Sequence, residues 1–172
     1  MKRTMRCALA AGLALAGAGF ALASERHGEP GRDHEQHVHP AVPAEYRKAH
    51  VPAAAWTDPA MLARGKGIYA THCASCHGAE GGGLGPAAQG LSPKPPDLRD
   101  ARMVAQMPGN YWFWRVSEGG AAEPFRSKGS AMPAWKDILS VEDRWAVIAY
   151  QHTFSGHRGP HVTSEHPGMG AR

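Results

Sequence analysis

The stretch Cys73-Ala-Ser-Cys76-His77-Gly78 constrains this chain more than any other. Two thiols separated by two residues make a tight ring if they bond to each other, and a disulfide leaves the adjacent histidine unexplained. Cys-x-x-Cys-His reads instead as an attachment site for one c-type haem, with a thioether from each cysteine to a vinyl group. His77 follows on the same helical turn, where its imidazole can reach the iron as an axial ligand. A chain with this motif has to fold a largely apolar slot around a flat ring. It also has to decide what faces the other side of the iron.

The N-terminus suggests where this chemistry takes place. Lys2, Arg3 and Arg6 precede an apolar run over residues 7–23 that ends in Ala21-Leu22-Ala23, the layout of a secretory signal cleaved before Ser24. A retained membrane anchor is the alternative, but 17 residues rich in Ala and Gly are short for a span. Cys7 opens the run rather than closing it, so it leaves with the signal. Cleavage removes three basic residues and no acidic ones, taking the formal charge from +4 to +1. The basicity is therefore mostly targeting, and a nucleic-acid role loses its main support. No later stretch approaches spanning length, which points to a periplasmic mature protein with one modest core.

Composition divides the mature chain into three. Residues 24–56 are rich in Pro, His and charge and read as a flexible leader. Residues 57–154 form the folded domain, and residues 155–172 are a polar tail broken by Gly and Pro. Within the domain, Asp58 caps a helix that starts at Pro59. Met61, Gly65, Ile68, Tyr69 and His72 share one face of it and lead the chain into the Cys73–His77 turn. A Gly- and Pro-rich loop follows. A middle helix is predicted over about 109–118, and then a second loop. The last helix has Ser140 as cap, Glu142 and Asp143 in its first turn, and Val141, Trp145, Val147, Ile148 and Tyr150 as its apolar stripe. No segment alternates with period two, so the domain reads as all-α.

Met132 is the expected second axial ligand. It lies in the second loop, 55 residues beyond His77, with Pro133 and Trp135 after it. A thioether is a soft ligand that favours ferrous iron. Met61, Met103, Met107 and a histidine stay open as rivals, and core packing is the plain alternative for any methionine. Trp112, Trp114, Trp135 and Trp145 read as packing around the cofactor rather than as redox groups.

The segments "GKGIYATHCASCHG", "GLGP", "SAMPAW" and "LSVEDRWAVIAY", in that order, resemble the class I c-type cytochromes over about residues 59–154. The resemblance implies the cytochrome c fold, three to five helices with long loops around one covalently bound haem c. It implies that the first and last helices cross near the cofactor, with Gly65 and Tyr69 meeting Val147 and Tyr150. It also implies that the Pro86 carbonyl accepts a hydrogen bond from the outer nitrogen of His77, which would fix the ring and raise its donor strength.

With His77 and Met132 both on the iron, no open site is left for substrate, so the expectation is electron transfer rather than catalysis. Two arrangements stay open: a periplasmic one-electron carrier with redox-protein partners, or a cytochrome subunit of a membrane or periplasmic respiratory complex. Lys66, Lys94, Lys128 and Lys136 are candidates for a basic rim. His27, His34, His37, His39 and His50 precede the domain, and His152, His157, His161 and His166 lie at its end. In "HEQHVH", His34, His37 and His39 are spaced for copper or zinc, which makes additional metal handling a third expectation.

Overall fold

The computed structural model describes residues 39–157. The expected signal peptide, His34, His37 and most of the C-terminal tail lie outside that range. The described residues form six α-helical segments with no strand: α1 (Ala54–Thr57), α2 (Pro59–His72), α3 (Ala74–His77), α4 (Ala101–Gln106), α5 (Gly109–Glu118) and α6 (Val141–His152). Two are single turns, so four longer helices carry the fold, which is all-α as expected.

Local chemistry accounts for the helix ends. The Asp58 carboxylate accepts the Ala60 N–H at 2.8 Å and Pro59 opens α2. Ser140 Oγ accepts the Asp143 N–H at 3.0 Å and its hydroxyl donates to the Asp143 carboxylate at 2.9 Å, which caps α6. The same Asp143 carboxylate takes Arg64 at 2.5 Å, tying the start of α6 to the second turn of α2. Helix α4 is not anticipated from the sequence. It is only six residues long and depends on Asp100, whose carboxylate accepts the N–H groups of Arg102 and Met103.

Helices α2 and α6 cross at Gly65. A Cβ there would lie 2.1 Å from the Ala146 carbonyl oxygen, so only glycine permits this approach. Tyr69 packs beside the crossing on Tyr150 and Phe154, with ring centroids 5.6 and 5.1 Å away. Helix α5 is buried along most of its length: Tyr111, Trp112, Phe113, Trp114 and Val116 are all nearly inaccessible. Phe113 stacks on Trp145 of α6 at 4.3 Å.

The folded body includes residues from Val42 onward, within the segment expected as a flexible leader. Val42, Tyr46, Ala49 and Val51 pack against the main core. The Tyr46 hydroxyl donates to Glu118, and the Asn110 amide donates to the Arg47 carbonyl at 3.2 Å. Further along, Ala55 and Trp56 are buried against Ala149. A few apolar anchors suffice to dock this strap, and the average composition of the segment conceals them. At the other end, the His157 N–H donates to the His152 carbonyl at 3.2 Å, and its ring lies 5.9 Å from that of Trp56. The first tail residues thus fold back onto the body.

Candidate haem site

The Cys73–His77 turn is held from two sides. Helix α2 ends at His72, and the chain re-enters helical geometry for one turn, α3, in which the His77 N–H donates to the Cys73 carbonyl at 2.9 Å. The glycine-rich loop then closes on the turn. Gly83 donates to the His77 carbonyl at 2.7 Å and Gly85 to the Cys76 carbonyl at 3.0 Å. A Cβ at Gly85 would lie 2.2 Å from the Ser75 carbonyl oxygen, so the loop reaches the turn only through a residue without a side chain. Behind it, the Tyr69 hydroxyl donates to the Gly78 carbonyl at 2.8 Å.

The Met132 loop is anchored by the same device. The Gly120 N–H donates to the Met132 carbonyl at 2.7 Å. Gly119, with φ of 54°, lies so close to the loop that a Cβ would be 2.1 Å from the Pro133 carbonyl oxygen. Trp135 and Lys136 donate backbone N–H groups to the last turn of α5, and Lys136 pairs with Glu118 at 2.9 Å.

These two arms face one cavity of about 530 Å³. Cys73, Cys76, His77 and Met132 all line it, as do Met103 and Met107. Met61 does not; it packs against the Trp56 cluster. The thiols are free rather than bonded to each other. Burial, with a contribution from neighbouring Cys76, pushes the Cys73 thiol up to about 11. Burial lowers the His77 pKa, and the charge of Arg115 adds to the effect, so the imidazole stays neutral and able to donate a lone pair to a metal.

His77 Nδ1 is buried without a hydrogen-bond partner, so the bond to the Pro86 carbonyl is not formed in this structure. Pro86 is exposed and opens a short 3-10 turn; the loop meets the turn through Gly83 and Gly85 instead. Of the candidate lysines, Lys94 and Lys128 line the cavity, Lys66 is exposed on α2, and Lys136 is committed to Glu118. His39, the described member of the histidine trio, packs against Tyr111 with centroids 5.8 Å apart.

The residues present suit haem c. The wall is mostly apolar, and its charged side chains, Lys94, Arg115 and Lys128, are all cationic, as a ring bearing two carboxylates requires. Trp112 Nε1 and Gln151 Nε2 are buried unpartnered donors on side chains that line the cavity. Arg115 and Gln151 were not singled out from the sequence as site residues. A glutamine inside the apolar stripe of α6 was the signal that could have marked one of them.

Comparison with known proteins adds the family. Residues 60–150 match the family model described as cytochrome c oxidase, cbb3-type, subunit III. A solved reducing HAO-like protein complex of Kuenenia stuttgartiensis is 26% identical with a TM-score of 0.42, covering 56% of this chain and 44% of that one. A solved c-type cytochrome is 24% identical with a TM-score of 0.40, covering 52% of this chain and 95% of that one. The chain thus spans less than half the length of the first of these. The family match extends over more than half of the present chain and takes in both the Cys73–His77 turn and Met132, and the chain belongs to this cytochrome c family.

Proposed function

We propose that the protein is a periplasmic one-electron carrier whose single haem c is attached through Cys73 and Cys76 and ligated by His77 and Met132. The observation that carries this reading is the convergence of those four side chains on one cavity, from two loops each pinned by glycine contacts. When bound, the haem supplies reversible one-electron chemistry between ferric and ferrous iron. The protein's own residues do the rest. His77 is kept neutral by burial, the Gly119–Gly120 turn fixes the Met132 backbone, and the Tyr111, Trp112 and Trp135 rings exclude water from the wall. Were His77 and Met132 both to hold the iron, no position would remain on it for substrate, and the site would serve electron transfer. The strap over residues 39–56 and the turn at His157 enlarge the core without adding ligands to the cavity. The Pro86 carbonyl stays the proposed acceptor for the outer N–H of His77, whose Nδ1 is buried without a partner.

A potentiometric titration followed by visible absorption tests this reading. A single one-electron transition, with no carbon monoxide complex of the ferrous protein, is the expected result. Rapid carbon monoxide binding would overturn it, since it requires an open or readily opened axial position.

A second reading has the family match behind it: the protein serves as a cytochrome subunit of a larger respiratory complex. Purification from native membranes under mild conditions separates the two. A carrier elutes alone, whereas a subunit co-elutes stoichiometrically with other redox proteins.

A further inference from the structure

We propose that Tyr46 is a positioning residue for Met132: acting through Glu118 and Lys136, its hydroxyl steadies the loop that carries the sulfur, so that the strap governs how firmly Met132 holds the iron. The proposal rests on Met132 being an axial ligand.

None of residues 39–56 lines the cavity, so the strap touches the site only through other elements. None of residues 39–53 is fully buried, although helix α5, on which they pack, is buried along most of its length. Among the described residues, two side-chain hydrogen bonds join this part of the strap to α5. The Asn110 amide donates to the Arg47 carbonyl near the start of the helix, and the Tyr46 hydroxyl donates to Glu118 Oε1 at its end. The Tyr46 ring lies against Phe113, with centroids 6.2 Å apart.

The end of α5 is also where the Met132 loop is seated. The Trp135 N–H donates to the Ser117 carbonyl at 3.0 Å, and the Lys136 N–H to the same oxygen at 3.1 Å. Beyond Glu118, the Gly120 N–H holds the Met132 carbonyl. The backbone bonds that seat Met132 therefore fall on both sides of Glu118. Its carboxylate adds a side-chain link to the same loop: Lys136 Nζ lies 3.1 Å from Oε1 and 2.9 Å from Oε2. From α6, Arg144 Nη1 donates to Ser117 Oγ, and its charge also faces Glu118.

The Lys136 side chain is 44% exposed and that of Glu118 19%. An exposed lysine–carboxylate pair contributes little by itself, because water competes for both charges and two long side chains must be held still. A hydroxyl donating to the same carboxylate supplies what the pair lacks. It fixes one oxygen in place and shields it from water. Burial first, and then Glu118, push the Tyr46 pKa up to about 12, so the hydroxyl keeps its proton and stays a donor at neutral pH. Without that hydroxyl the Glu118–Lys136 pair loosens, and the segment from Met132 to Lys136 is left with its backbone bonds.

The test uses the ferric holoprotein and adds imidazole, which binds the iron only when Met132 has left it. Tyr46→Phe keeps the ring beside Phe113 and removes the hydroxyl. A hydrogen bond to a charged group is worth about tenfold in an equilibrium constant. Tyr46→Phe is accordingly expected to raise the apparent imidazole affinity about tenfold, with covalent haem content unchanged. Glu118→Gln acts in the same direction and serves if the phenylalanine variant does not load. Tyr46→Phe combined with Lys136→Met gives less than the product of the two single effects, since both act through one carboxylate. Arg64→Ala removes an ion pair outside the loop and leaves the affinity where it was. An unmoved affinity in Tyr46→Phe and Glu118→Gln, an equal rise in Arg64→Ala, or independent effects in the double variant would overturn the proposal. Absence of the near-infrared sulfur-to-iron band from the unaltered oxidised protein would sink the ligand reading and this proposal with it. An intact band with an unmoved imidazole affinity sinks the proposal alone.

Discussion

Cys73 and Cys76 sit on one short turn whose backbone carbonyls are already taken by Gly83 and Gly85. Their spacing is therefore imposed by the loop as well as by the two intervening residues. Each thiol is expected to form one thioether, and the two single substitutions should act unequally with the double. Cys73→Ala or Cys76→Ala alone leaves haem attached through the remaining thiol in reduced amount, while the double substitution leaves none. Haem staining after denaturing electrophoresis checks this directly. Haem retained on the denatured double variant would show that attachment lies elsewhere. The motif's residues were legible in the sequence because their chemistry is local: three side chains in five positions specify a cofactor without any tertiary contact. Arg115 was not, because its place in the cavity wall depends on Gly119, Phe125 and Met132 arriving around it from a loop up to 17 residues away.

Among the elements, the α2–α6 crossing is where a single methyl group matters most. A Cβ on Gly65 would collide with backbone at Ala146, which cannot move aside as a flexible side chain can. Gly65→Ala is expected to destabilise the holoprotein by about 1–3 kcal/mol through overpacking. The readout is the midpoint of a denaturant titration; Gly67→Ala, which faces open space on the same helix, is the control and should be neutral or slightly stabilising. Helices α2, α5 and α6 were all legible, since each carries a start signal or a periodic apolar face long enough to read. What escaped was short or tertiary. Helix α4 has six residues and one cap, and the strap over residues 39–56 docks through Tyr46, Val51 and Trp56 within a Pro- and His-rich background. The family pattern points to a bond from His77 to Pro86; in this structure His77 Nδ1 has no partner, and Gly83 and Gly85 make the contacts with the turn.

At the scale of the whole molecule, two carboxylates join distant parts of the chain and set its response to acid. Glu118 receives the Tyr46 hydroxyl from the strap and Lys136 from the Met132 loop; burial pushes its pKa up, but those hydrogen bonds outweigh it and hold the carboxyl below 4.5. Asp143 is held below 3.8 first by the Arg64 hydrogen bond. Both folded-state values are depressed, so the carboxylates bind protons less readily folded than unfolded. Their stabilisation is complete above the unfolded values and is lost as pH falls through the folded ones. Unfolding free energy should thus stay nearly level from pH 7 to 5 as far as these groups are concerned, then fall below about 4.5. Glu118→Gln should make that fall shallower, and a slope identical to the unaltered protein would show that the Tyr46 and Lys136 contacts contribute nothing. The two arms around the cavity matter most through whether they deliver His77 and Met132 to the same iron. The most direct measurement is the near-infrared absorption of the oxidised holoprotein beside that of Met132→Ala. A weak sulfur-to-iron band in the unaltered protein, lost in the variant while covalent haem is retained, is the predicted result. A band that survives the substitution, or that is missing from the unaltered protein, would contradict it.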